Sequence, residues 1–231
     1  MVGLIWFDFS ILWFENISKV GLSPHLFCRR NHMGEIIPRW EWRTFGKDFG
    51  VGEERIKAHE LVTFKKSSEK YILSRKSNEN CKIRDDLMDI KSLRQINEDK
   101  LEQWYPTMKL SFPLKKEDIA NLFKNFFKVE VPKFERDEYT YDQYLEEVVG
   151  KCPDLEIVNV YKERSIYNIK ETTVEIAETT FNGKANRTIC VEHIDPKLVM
   201  EVVRELGVAD FPNINYLKAM KEAVGLEAWV K

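Results

Sequence analysis

The sequence predicts an α+β protein in which about eight antiparallel strands close into a barrel flanked by helices. Segments of strand period follow one another across short polar turns, helical stretches interrupt them once and end the chain, and several strands set charged residues opposite aromatic or aliphatic ones. A chain of 231 residues, 43% hydrophobic and 32% charged, can bury one sizeable core and has the composition of neither a disordered nor a fibrous protein. The net charge of −2 argues against DNA or a membrane surface as a general partner. Cys28, Cys81, Cys152 and Cys190 are scattered without a CxxC pair, so neither a zinc site nor a disulfide framework is indicated, and a reducing cytoplasm is expected.

Residues 1–32 differ from the rest. Their apolar run is broken by Asp8, is too short to span a bilayer, and lacks the basic flank and small-residue cleavage site of a secretory signal. The expectation is a non-native leader or an extended N-terminal segment, with Met33 as the natural start and 33–231 as the folded domain. Residues 37–45 (IPRWEWRTF) alternate charge and aromatic and read as a strand; 50–58 read as a short helix. Strands are expected at 61–66, 70–75, 81–85, 87–93 and 107–113, with the turns SSE, KSNEN and Asp85-Asp86 between the first four.

A helical insertion at 115–150 follows. Ile119, Leu122, Phe123, Phe126 and Phe127 recur at helical spacing, and Thr140 and Gly150 bound a second helix. This insertion is expected to cap one barrel mouth or to mediate association, for example as a homodimer. Strands resume at 156–169, 172–181 and 187–194, and C-terminal helices fall within 196–225, opened by Asp195-Pro196 and by Asn213 or Asn215.

The charged faces carry the functional signal. Trp40 and Trp42 oppose Glu41 and Arg43, Ile83 opposes Lys82 and Arg84, and Ile90 opposes Asp89 and Lys91. On an open sheet such a face meets water. In a closed barrel it lines a lumen, where desolvating charges costs several kcal/mol per ion and stability gives no reason for them. A polyanionic ligand does: Arg and Lys match phosphate oxygens, and carboxylates in the same cavity suit divalent ions that bridge to them.

The order WEWRTF, KIRDDLMDIK, VYKERSIYNI with TTVEIA, and ICVEHID resembles the CYTH superfamily, the triphosphate tunnel metalloenzymes, over residues 35–206. The resemblance implies an eight-stranded tunnel that hydrolyses inorganic triphosphate or a nucleoside triphosphate with Mg²⁺ or Mn²⁺. It implies Arg39, Arg43, Lys82, Arg84, Lys91, Lys162 and Arg164 as binders of a triphosphate or polyphosphate ligand, Glu41, Glu175 and Glu192 as metal ligands, and Glu41 and Glu192 as catalytic. Two alternatives stand beside it: a non-catalytic module binding polyphosphate or a phosphorylated nucleotide, and an adenylate cyclase. This sequence departs from the family signature in having Arg39 where the first Glu is expected and Arg43 for the final Lys, and His193 follows Glu192 in the closing strand. The missing carboxylate puts two-metal chemistry in doubt and favours anion binding.

Overall fold

Alternation along the strands decides this architecture, because closing the sheet sends one face of every strand inward. In the computed structural model, which describes residues 37–226, the strands are β1 (Trp40–Phe45), β2 (Leu61–Ser74), β3 (Asn80–Arg84), β4 (Leu87–Ile96), β5 (Glu102–Ser111), the short pair β6 (Leu114–Lys115) and β7 (Glu138–Tyr139), β8 (Leu155–Ile169), β9 (Thr172–Phe181) and β10 (Lys184–His193). Eight of them form a closed antiparallel barrel in the order β1-β10-β9-β8-β2-β3-β4-β5. The helices are α1 (Val51–Lys57), α2 (Lys116–Asn121), α3 (Tyr141–Gln143), α4 (Pro196–Glu205) and α5 (Tyr216–Ala223). The turns of α2 and α3 widen to π pitch over Leu122–Phe127 and Tyr144–Val149. Among the described residues no helix is long and apolar enough to cross a membrane. The expectation for residues 1–32 lies outside the described residues.

Local chemistry accounts for the connections. Asp85 and Asp86 both have positive φ, as do Lys170 with Glu171 and Asn182 with Gly183, the paired left-handed geometry of two-residue hairpins. Thr140 caps α3 reciprocally with Gln143, and left-handed Lys128 ends the helix before it. Gly52 lets α1 lie against Val208, whose Cγ1 would sit 2.4 Å from any added Cβ.

Two outer cores hold the helices to the barrel. Ile72, Ile83, Met88 and Ile90 point outward beneath Ile119, Leu122, Phe123, Phe127 and Tyr144. Trp42, Val174, Ile176, Ile189 and Val191 point outward beneath Val199, Val202 and Val203 of α4. A third cluster joins the inward residues Tyr71, Leu73, Val158, Val160 and Phe181 to Tyr216, Leu217 and Met220, so α5 fills part of the barrel with apolar side chains.

The segments 61–66 and 70–75 are not separate strands. They form one, β2, and the Ser-Ser-Glu expected as a turn pairs residue for residue with β8, as Ser67↔Lys162, Ser68↔Tyr161 and Glu69↔Val160. The stretch has polar side chains but neither Gly nor Pro, and nothing in it forces the backbone to bend. Similarly, β5 begins at Glu102 and β10 at Lys184, each earlier than the sequence pattern indicates.

Phe127 is fully buried and its carbonyl accepts a 2.6 Å hydrogen bond from Ser74 Oγ, so it ties the helical layer to β2. Phe127→Ala is expected to lower stability by about 3–5 kcal/mol in chemical denaturation, and a loss below about 1 kcal/mol would contradict this packing role.

Candidate functional site

The inward residues divide the lumen into two walls. Cross-strand partners Glu41↔Glu192, Arg43↔Cys190 and Cys190↔Glu175 make an acidic wall of β1, β10 and β9. Lys82 and Arg84 on β3, Lys91 on β4 and Lys162 and Arg164 on β8 make the basic wall, with β2 between β8 and β3. Trp42 faces the opposite way, into the core under α4, and half-buried Trp40 packs against the same cluster.

Arg43 is the centre of the acidic wall. Its Nε donates to Glu41 at 2.9 Å and its Nη1 to Glu175 at 3.1 Å, while Glu192 lies 4.0 Å from Nη2. Burial works to raise the Glu41 carboxyl, but the charge and hydrogen bond of Arg43 override it and hold it below the usual range. Among the described residues Glu192 has no cation that close and hydrogen-bonds to Glu41, and burial followed by the charge of Glu41 pushes it up to about 7. Arg39, 54% exposed, lies 3.8 Å from Glu192 and donates to Thr173 at 3.2 Å. Arg164 approaches the other oxygen of Glu175 at 3.8 Å, and its Nε is buried without a hydrogen-bond partner.

Glu69 is the centre of the basic wall. Only 1% of its side chain is exposed, and it meets Lys162 at 2.9 Å, Arg84 at 3.6 Å and Lys82 at 3.9 Å, while accepting from Tyr71 OH at 3.1 Å. Burial opposes its charge, yet Lys162 and Lys82 hold it at about 2. Burial pulls Lys162 down to about 8 despite the charge and hydrogen bond of Glu69, and the nearby Lys82 adds a smaller push the same way. Three cations surround the one acid, so the carboxylate is strongly compensated, while burial outweighs the help that Lys162 receives from it. Lys91 has no ion pair among the described residues, and its charge reaches both Glu41 and Glu192. On the same strand, Asp89 keeps one buried carboxylate oxygen without a partner.

Among the described residues, one cluster could hold a divalent ion. The donor atoms of Glu41, Cys190 and Glu192 lie within 4.8 Å of one another, and the two carboxylates are direct cross-strand partners whose repulsion a cation would relieve. Glu175, expected beside them as a metal ligand, faces the same lumen outside this cluster and pairs with Arg43 and Arg164. Cys190 is the third donor within reach, its buried thiol pushed up in pKa by desolvation.

Sequence reasoning missed Glu69, Tyr71 and Tyr216. The first two follow from unbroken strand period through 61–74; the third comes from the C-terminal helix and carried no signal. Its ring lies 4.0 Å from Lys162 Nζ and 4.6 Å from Arg43 Cζ. At the mouth, Glu69 and Arg84 also line a cleft of about 480 Å³ with Asp85, Asp86, Tyr141 and Tyr161.

No family model matches the chain, and no curated protein matches it. Among solved structures, it is similar to HpAC1 from Hippeastrum, described as a proposed adenylyl cyclase with a dominant triphosphatase activity, at 10% identity over 80% of this chain and 96% of that one, with a TM-score of 0.46. A conserved hypothetical protein from Pyrococcus furiosus aligns at 14% identity over 77% and 97% of the two chains, with a TM-score of 0.44. A proposed adenylate cyclase from Bacillus halodurans aligns at 13% identity over 78% and 95%, with a TM-score of 0.42.

Proposed function

We propose that the barrel binds a triphosphate-containing anion along its basic wall and hydrolyses it at the acidic wall with one Mg²⁺ or Mn²⁺ ion. The observation that carries this reading is the facing of the two walls: Lys82, Arg84, Lys91, Lys162 and Arg164 line the lumen that Glu41 and Glu192 also face. Phosphate oxygens can replace the partial compensation these cations now have, and the unpartnered Arg164 Nε is a donor ready for one of them. Lys82, Arg84 and Lys162 would hold the distal phosphates, kept in place by Glu69. Arg164 and Lys91 reach toward the acidic wall and would hold the phosphoryl group nearest Glu41 and Glu192. A divalent ion on those two carboxylates would neutralise charge on the phosphate oxygens and acidify a water molecule. Arg43 fixes Glu41 and Glu175, so the carboxylates keep one arrangement when ligand enters.

A second reading is a binding module without turnover, and Arg43 and Arg39 favour it. The guanidinium of Arg43 sits among the acids, and Arg39 takes the place of one of them. Both readings require triphosphate to bind; only the first requires the acidic wall to act on it.

The full chain incubated with inorganic triphosphate or ATP and Mg²⁺ or Mn²⁺ is expected to release phosphate, and to stop with chelator. Glu192→Gln should reduce release about 100-fold or more while triphosphate binding survives. Binding without release by the folded wild type would select the module instead, and cyclic AMP from ATP would select a cyclase. Arg164→Ala is expected to weaken binding about tenfold, measured by titration calorimetry.

The basic wall also sets an acid limit. Glu69 titrates at about 2 in the fold against a reference of 4.5, so between those values the unfolded chain binds more protons. Its contribution is complete above pH 4.5 and lost as pH falls toward 2. The loss amounts to about 3 kcal/mol. Urea denaturation of Glu69→Gln should show a shallower stability decline over that window than the wild type, and identical slopes would contradict the assignment.

A further inference from the structure

We infer that Tyr216 is a ligand-contacting residue of the lumen, its hydroxyl donating a hydrogen bond to an oxygen of the bound phosphate chain between Arg43 and Lys162. This inference rests on the reading of the lumen as a phosphate site, and adds a residue from outside the barrel to it.

Tyr216 is delivered by the C-terminal segment that docks on β1. Where β1 and β5 pair only through Trp40↔Gln103 and Glu41↔Glu102, the C-terminal segment takes up the free backbone of Arg43. Asn213 Oδ1 accepts from Arg43 N–H at 2.8 Å, and Ile214 N–H donates to the Arg43 carbonyl at 2.6 Å. Asn215 then caps α5, accepting from Lys218 N–H at 2.9 Å while donating to Glu102. Tyr216 follows directly, so its position is fixed to the same residue that organises the acidic wall.

The ring spans the two charge centres. It lies over Lys162 and Arg43, stacks on Tyr71 at 6.4 Å and 15°, and meets Phe45 and Phe181 edge-on. The two stacked tyrosines differ in one respect. Tyr71 OH accepts from Lys162 at 3.0 Å and donates to Glu69 at 3.1 Å. Tyr216 is 8% exposed and its hydroxyl is buried with no partner. A side chain present only to fill the barrel would be better as phenylalanine, since an unpaired buried hydroxyl costs stability. Burial also pushes the phenol up in pKa, which keeps it a donor. A donor on a ring that two cations face suits the oxygens of a phosphate chain.

Tyr216→Phe separates filling from binding, because it keeps the ring and removes only the hydroxyl. Melting of the ligand-free protein is expected at or above the wild-type temperature, whereas Tyr71→Phe, which loses two native hydrogen bonds, should melt lower. Calorimetric titration with Mg²⁺ and a methylene-bridged, non-hydrolysable analogue of inorganic triphosphate should show affinity reduced about tenfold or more in Tyr216→Phe. Wild-type affinity in that variant would overturn the inference and leave the phosphate site standing. A lower melting temperature would overturn it too, by revealing a partner for the hydroxyl within the fold. Failure of the wild type to bind the analogue would remove both the phosphate site and this residue's role in it.

Discussion

A charge turned into a closed barrel must find a counter-charge, and this lumen meets that constraint by grouping its charges around two hubs. Arg43 gathers Glu41 and Glu175 with Glu192 close by; Glu69 gathers Lys162, Arg84 and Lys82. Each hub is a single ion of the sign opposite to its wall. Without Arg43 the carboxylates of β1, β9 and β10 would repel one another, and without Glu69 the cations of β3 and β8 would. The walls therefore hold their shape before any ligand enters, which is the preorganisation an electrostatic site requires.

The hubs do not cancel the walls. Three cations share Glu69, and Lys162 titrates low because burial outweighs what Glu69 gives it. Glu192 is left high because burial and the facing charge of Glu41 outweigh Arg43, which bonds directly to Glu41 and Glu175 instead. These residual imbalances point in complementary directions: cations outnumber acids on one wall, and carboxylates outnumber cations on the other. The proposed phosphate chain with its divalent ion would correct both at once, giving one ligand for charges that packing alone does not explain.

Much of this was legible in period-2 alternation. WEWRTF separates Trp42 from Glu41 and Arg43 by its spacing alone, and the same logic assigns Lys82 and Arg84 to the face opposite Ile83. Glu69 stayed hidden because polarity at 67–69 resembles a turn, although only pairing with β8 decides whether the backbone bends. Tyr216 and Asn213 were not legible for a different reason. Asn215 does cap α5, as its position suggests, but Asn213 bonds to Arg43, a partner 170 residues away that local sequence does not reveal. Residues placed by strand period can be read locally; residues brought by a returning tail cannot.

The most direct test of the two-wall account is crystallographic: crystals of the full chain soaked with Mn²⁺ and inorganic triphosphate, with anomalous scattering used to locate the metal. The account places manganese within ligand reach of Glu41 and Glu192 and the phosphate chain against Lys82, Arg84, Lys162 and Arg164. Triphosphate bound on the outer surface, or a lumen whose side chains stay paired as they are at saturating ligand, would contradict it.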